Sequence, residues 1–369
     1  MNNNNESIDG SRRALLLLGM GVGLQALLAP VLASTTVAVG SAIMGNPLQQ
    51  PASMTPRAAQ GMLTRVVTAG NRLVAMGERG LVVLSDDGGR QWRQARVPVS
   101  VTLTAASFVD AHQGWIAGHN GVVLHTADGG ESWAVQTEGV ALAEASLVQA
   151  RALPASDAQR DRHIAEAERL VADGADKPLL SICFADALHG LVVGAFGLAA
   201  ATTDGGRTWT PCRERLANPM GMHLYAIARH ERTWVIAGEQ GVLMRSNDDG
   251  ASFQALDSLS GRTLFAVTPT RQGAFICGGL LGAACRLDAD SQVVAPVELP
   301  GQLTILSAMQ LRDGRVALLG QGGRWLVSVD GGARFTEQPL ARRDPLTSVV
   351  EAGDGGLVAT SLGGVARLG

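Results

Sequence analysis

One short glycine-bounded pattern recurs seven times along the chain, and no other feature narrows the fold as much. The stretch from Gly77 to Trp92 returns from Gly118 to Trp133, Gly194 to Trp209, Gly238 to Phe253 and Gly320 to Phe335. A degenerate copy starts at Gly279, and a truncated one ends the chain at Gly364 to Leu368. The second glycines (Gly80, Gly121, Gly197, Gly241, Gly282, Gly323, Gly364) are spaced by 41, 76, 44, 41, 41 and 41 residues. The outlier is one period plus an insertion of 35 residues. A leucine precedes each second glycine by 17 or 18 residues.

Each unit reads as four short strands, A to D, rich in Val, Leu, Ala and Ile and bounded by turns. In the first copy these are Leu63–Thr68, Arg72–Met76, Leu81–Leu84 and Gln91–Val97. Four strands at a period near 40 mark a propeller blade, which is stable only when stacked on neighbours. We therefore expect an all-β fold over 45–369: a seven-bladed β-propeller of four-stranded antiparallel blades. Many of the 46 glycines are then accounted for by the turns of the blades, where the Gly-x-x-Gly step between strands B and C needs positive φ. The last copy lacks its fourth strand. Pro47 to Pro51 is similar to Phe335 to Pro339, so residues 45–53 are expected to pair onto the last blade and latch the ring.

Within each copy, Ser85 to Trp92, Thr126 to Trp133 and Thr202 to Trp209 follow the pattern Ser/Thr-x-Asp-x-Gly-x-Thr-Trp. Ser246 to Phe253 and Ser328 to Phe335 carry Phe for Trp, and the fourth box has Asp249 in place of Gly. This is the Asp-box, or bacterial neuraminidase repeat. Its aspartates, here Asp87, Asp128, Asp204, Asp248 and Asp330, are expected to brace the turn between strands C and D by accepting backbone N–H bonds. They belong to separate blades and do not form one calcium loop. Asp-box blades in this number resemble the photosystem II stability/assembly factor family, from about residue 45 to the end. The resemblance implies a non-catalytic factor that assists assembly of a membrane protein complex. It further implies, in bacteria without photosynthesis, a partner of an RND-type exporter.

A sialidase-like glycoside hydrolase or a glycan-binding propeller is the alternative that shares the box. That chemistry requires a tyrosine nucleophile with a glutamate partner and an arginine cluster. The chain has one tyrosine, Tyr225, and it is expected on the inner strand of blade four. No Gly-x-Ser-x-Gly elbow or dinucleotide loop is present, so no catalytic residue and no cofactor are expected. His119 and His125 flank one hairpin strand without a third ligand nearby, so no metal is expected either. The net charge of −3 has no basic block, which argues against nucleic acid as a partner.

At the N-terminus, Arg12-Arg13 precedes an apolar stretch that ends at Val31-Leu32-Ala33. This layout of 1–33 is that of an export signal, or of an uncleaved membrane anchor, and places the propeller in the periplasm. Cys183, Cys212, Cys277 and Cys285 are too few for a disulfide scaffold. A Cys277–Cys285 bridge is one alternative, and two small buried side chains the other.

The 140–176 insertion reads as a helical hairpin between blades 2 and 3. Its first helix is Ala141–Ala152, and Ser156-x-x-Gln159 forms a capping box for a second helix that ends at Gly174. The B–C turns and the D-to-A connections share one face of the ring, and the insertion rises from it. That face is the expected partner surface: Glu78, Arg79, His119, Asn120, Phe196, Glu239, Gln240, Leu280 and Leu281 on the turns, with Arg160 and Ile164 on the hairpin.

Overall fold

The structure, a computed structural model, describes residues 45–174, 176–289, 291–341 and 344–368. Residues 1–33, expected to form an export signal or membrane anchor, lie outside the described residues. Among them, no helix is long and apolar enough to cross a membrane.

Seven antiparallel sheets follow one another in chain order, six of four strands and the last of three. In blade 1, strands A to D are Leu63–Ala69, Arg72–Gly77, Val82–Ser85 and Arg93–Gln94. The inner strands of blades 2 to 7 are Leu103–Phe108, Leu179–Phe184, Leu224–His230, Leu264–Pro269, Ile305–Gln310 and Leu346–Glu351. Each packs against the next, and the seventh packs against the first, so the ring is closed. The outermost strand of blade 1 is shorter than expected, because only Arg93 and Gln94 find ladder partners. Beyond them the chain turns inward and buries Ala95, Val97, Val99 and Val101 against blade 2.

The apolar cores lie between blades. One joins Val74, Met76 and Leu84 of blade 1 to Ile116 and Leu124 of blade 2. Others join blades 4 and 5 through Val235 and Phe275, and blades 6 and 7 through Leu319 and Val349. The Asp-box aromatics belong to these interfaces. Trp133 enters the core between blades 1 and 2, and Phe335 that between blades 5 and 6. Burying such faces is what makes single blades depend on their neighbours.

The Asp-boxes brace their turns as expected. In blade 3, Thr202 donates to Asp204 Oδ1 at 2.9 Å, and the Gly206 and Thr208 amides donate to Thr202 Oγ1 and Asp204 Oδ1 at 2.8 and 2.9 Å. Asp87, Asp128, Asp248 and Asp330 repeat the arrangement. The bond from the Thr208 amide, followed by that from its hydroxyl, holds the Asp204 carboxyl down at about 2. Asp249, which stands where the other four boxes carry the first of two glycines (Gly88, Gly129, Gly205 and Gly331), has φ +58. Aspartate tolerates this left-handed conformation better than most side chains.

The expected latch is not formed by residues 45–53. The Pro47 carbonyl accepts from the Ser100 amide at 2.8 Å, and the Ala52 amide donates to Val97 O at 3.0 Å, both on blade 1. Asn46 turns the chain by accepting from the Leu48 amide, and Leu48 and Ala52 pack into the core between blades 1 and 2. That apolar burial outweighs the likeness of Pro47 to Pro51 to an outer strand. Closure comes instead from Thr347, whose hydroxyl donates to Leu63 O at 2.8 Å, and from the turn Ala58–Gln60 against Gly364. Thr64 and Thr104 make the same tie to Leu103 O and Leu179 O, each at 2.7 Å.

The hairpin consists of α1 (Gly139–Ala152) and α2 (Arg160–Asp173). The second helix starts later than the capping box implied. Asp157 Oδ1 accepts the Gln159 amide at 2.8 Å and holds 155–159 in turns, so Ser156 caps nothing. Gly174 ends α2 at φ +80, as expected. Cys277 and Cys285 face each other across strands B and C of blade 5, buried and unbridged.

Candidate functional site

The B–C turns share one backbone. In five blades the residue before the second glycine is left-handed: Arg79 (φ +53), Asn120 (+57), Phe196 (+56), Gln240 (+51) and Leu281 (+49). The first glycine of each pair has another reason to be glycine. Gly279 is extended at φ −165, and a Cβ there would lie 2.0 Å from the Thr263 carbonyl oxygen. The turn is thus pressed onto the connection that leads into strand A, as the Glu239 amide bond to His223 O (2.8 Å) also shows. Turns and connections therefore share a face.

On that face every inner strand carries a register shift after its first residue. Such bulges re-aim a side chain. The bulged residues are Thr64, Thr104, Leu180, Tyr225, Phe265, Leu306 and Thr347. In blades 7, 1 and 2 they are threonines that tie to the next blade. In blades 3 to 6 they are apolar or aromatic.

Around this second half a chain of rings crosses the face. Phe196 meets His223 at 4.7 Å between centroids, His223 meets Tyr225 at 6.2 Å, and Tyr225 meets Phe265 at 5.2 Å. The Lys177 ammonium lies 5.6 Å over Phe196. Glu239 Oε2 accepts the His223 amide at 3.2 Å. Burial, and then the Glu239 carboxylate, push the Tyr225 phenol above its ordinary pKa. Phe196 is 52% exposed, Leu281 48%, and Met220 on the next connection 77%. Leu259 and Leu280 are exposed as well.

Of the residues expected on the partner face, Phe196, Glu239, Leu280 and Leu281 belong to this array, with Gln240 exposed at its edge. Glu78 and Arg79 stand on blade 1, away from it. His119 and Asn120 flank the root of the hairpin, where a Cβ on Gly121 would lie 2.5 Å from Gly139. Arg160 is occupied within the hairpin, donating to Leu153 O at 3.1 Å. Ile164 is half-buried on α2, which packs along α1. α1 itself rests on the turn His119–Gly121 and on Thr210–Pro211, so the hairpin straddles blades 2 and 3 beside Phe196.

Sequence reasoning missed Lys177, Met220, His223 and Phe265. One signal was available: the spacing of 44 between Gly197 and Gly241 exceeds the period by the extra residues of the loop that holds Met220 and His223. His125 does not join His119. It lies 2.8 Å from Gln113 Oε1 beneath Trp115, and burial lowers its pKa. Among the described residues, no three His, Cys, Asp or Glu side chains converge as metal ligands would.

Comparison with known proteins agrees with this architecture. The curated Photosystem II assembly protein Ycf48 of Thermosynechococcus vestitus is 37% identical over 46 residues, 12% of this chain. The match spans only 13% of that protein's length. A solved structure of YCF48 bound to D1 peptide superposes with a TM-score of 0.58 at 16% identity, covering 88% of this chain and 97% of that one. YCF48 from Cyanidioschyzon merolae gives 0.58 at 15% identity, with 86% and 98% covered. The WD40 propeller domain of Doa1 gives 0.60 at 12% identity, with 88% and 97% covered. These likenesses show the propeller fold. The family described as Photosynthesis system II assembly factor YCF48 matches residues 53–152 and 163–263, more than half of the chain. The chain is a member of that family.

Proposed function

We propose that this protein is a non-catalytic assembly or accessory factor that binds a subunit of a membrane protein complex, and that it does so with the B–C face of blades 3 to 5. The carrying observation is the array of Phe196, His223, Tyr225 and Phe265 flanked by exposed Met220, Leu259, Leu280 and Leu281. Apolar patches of this kind on a soluble face mark docking sites, and aromatic side chains supply most of their binding energy. Family membership supports the class of function. The superposable YCF48 bound to D1 peptide supports a polypeptide as the ligand class.

The export-type N-terminus supports a periplasmic site of action, with the segment cleaved or kept as a membrane anchor. The partner is a photosystem subunit in a phototroph, or an RND-type exporter in a bacterium without photosystems. Affinity capture from detergent-solubilised membranes, with subunits identified by mass spectrometry, tests the reading. The wild type captures one membrane complex, and Phe196→Asp with Leu281→Asp loses it. Retained capture by the double variant would remove the face from the account. Turnover of a fluorogenic sialoside, abolished by Tyr225→Phe, would overturn the non-catalytic reading.

A further inference from the structure

The inner strands carry few ionisable groups, and their distribution is uneven. Arg229, His230 and Glu351 stand at the Asp-box end of their strands. Two of the three have partners there: Arg229 reaches Asp249 at 3.7 Å, and Glu351 Oε2 accepts the Arg312 amide at 2.7 Å. Toward the B–C end the one charged residue on the inner strands is Arg65.

Arg65 follows the bulge of strand A in blade 1 and pairs with Met76. At the same register the other six blades place Ala105, Ser181, Ala226, Ala266, Ser307 and Ser348. An arginine stands where the ring otherwise admits only a methyl or a hydroxymethyl group. Its Nε donates to Thr104 O on the inner strand of blade 2 at 3.4 Å, which places the guanidinium at the inner wall of the ring. Among the described residues no carboxylate pairs with it. Its partial burial lowers its pKa.

A half-buried guanidinium without a counter-charge is costly, and the fork of N–H donors left over is the group that proteins use to hold a planar anion. We propose that Arg65 is the anchor of a carboxylate-binding site at the B–C end of the ring's inner wall, and that the carboxylate belongs to the polypeptide docked on blades 3 to 5. The charge count selects the ligand. One cation neutralises one carboxylate, whereas a phosphate dianion would leave a net negative charge in a region of low dielectric. The bulged Thr64, Thr104 and Thr347 near the same level already spend their hydroxyl protons on backbone carbonyls, so Arg65 is the cationic donor of the inner strands at this level. The polypeptide source rests on the proposed function; the carboxylate site itself does not.

The test uses the full chain with arginine side chains labelled with nitrogen-15, and follows the Arg65 Nε–H signal by NMR. Probes are sodium acetate, acetyl-trialanine with a free C-terminal carboxylate, the same peptide as its amide, and inorganic phosphate. The account expects saturable shifts with acetate and with the peptide acid, tighter for the peptide acid, and none with the amide. Arg65→Gln removes saturable binding of the peptide acid, and Arg65→Lys weakens it about tenfold, since a point charge replaces the fork. Unchanged melting of both variants shows that the fold is kept. Equal affinity for acetate and the peptide acid would keep the carboxylate site and overturn its polypeptide source. Response to phosphate but not acetate, or no response to any probe, would overturn the site. Neither result depends on capture of the membrane partner.

Discussion

Two halves of the B–C face share a backbone and differ in what they do with it. Around blades 7, 1 and 2 the bulged residue of the inner strand is a threonine whose hydroxyl ties one blade to the next at 2.7 to 2.8 Å. Around blades 3 to 6 the same position holds Leu180, Tyr225, Phe265 and Leu306, and the turns above blades 3 and 5 expose Phe196 and Leu281. The first half closes the ring across its two chain ends with internal hydrogen bonds. The second half gives those bonds up and leaves rings and aliphatic side chains at the surface. A difference of this kind, on an unchanged backbone, separates a position used for closure from one used for contact.

The largest expected effect concerns the backbone that the halves share. Gly77→Val in blade 1 and Gly279→Val in blade 5 would each drive a Cβ to within 2.1 Å of a carbonyl oxygen. Both should cost about 3 kcal/mol or more in chemical denaturation. A large cost in one blade and a small one in the other would break the claim of a common turn.

Acid should act next, and on the opposite end of the ring. The Asp204 and Asp248 carboxyls are held at about 2, by the Thr208 amide first and the Ser246 hydroxyl first, respectively. An unfolded aspartate titrates near ~3.9. The stabilisation is therefore complete above that value and is lost as pH falls through about 2. Melting temperature should drop across this window, and less steeply in Asp248→Asn. An equal slope in that variant would show that the brace carries no linkage.

Thr347→Val should cost about 1 kcal/mol, the net worth of one hydrogen bond, measured by urea unfolding. Leu306→Val, in the apolar half and without such a tie, should leave the ring closed and lose only methylene burial. Smallest is Leu281→Gly. Relief of a left-handed leucine should raise stability by about 0.5 kcal/mol while weakening partner capture. Gain without loss of capture would mean that the leucine is retained for neither reason.

The blades were legible because a strict period repeats the same turn chemistry seven times, and the Asp-boxes because their bonds are local. The hairpin was legible from helical patterning and from Gly174. What escaped depended on neighbours distant in sequence. Pro47 to Pro51 has the residues of an outer strand, yet Leu48 and Ala52 are drawn into the core between blades 1 and 2. Ser156 lost its cap to a turn held by Asp157. His223 and Phe265 gave no local signal, since their meaning lies in rings contributed by adjacent blades. Arg65 looks like any arginine until the other six blades are aligned with it.

The central claim is that the apolar half of the B–C face touches a membrane protein. Site-specific incorporation of a photoreactive benzophenone side chain at Leu281, and separately at Val329 on the Asp-box end, tests it in solubilised membranes. Val329 is 84% exposed, so both probes are accessible. The account predicts a cross-link to one membrane-protein subunit from position 281 and none from 329. Equal cross-linking from both ends, or from 329 alone, would contradict it.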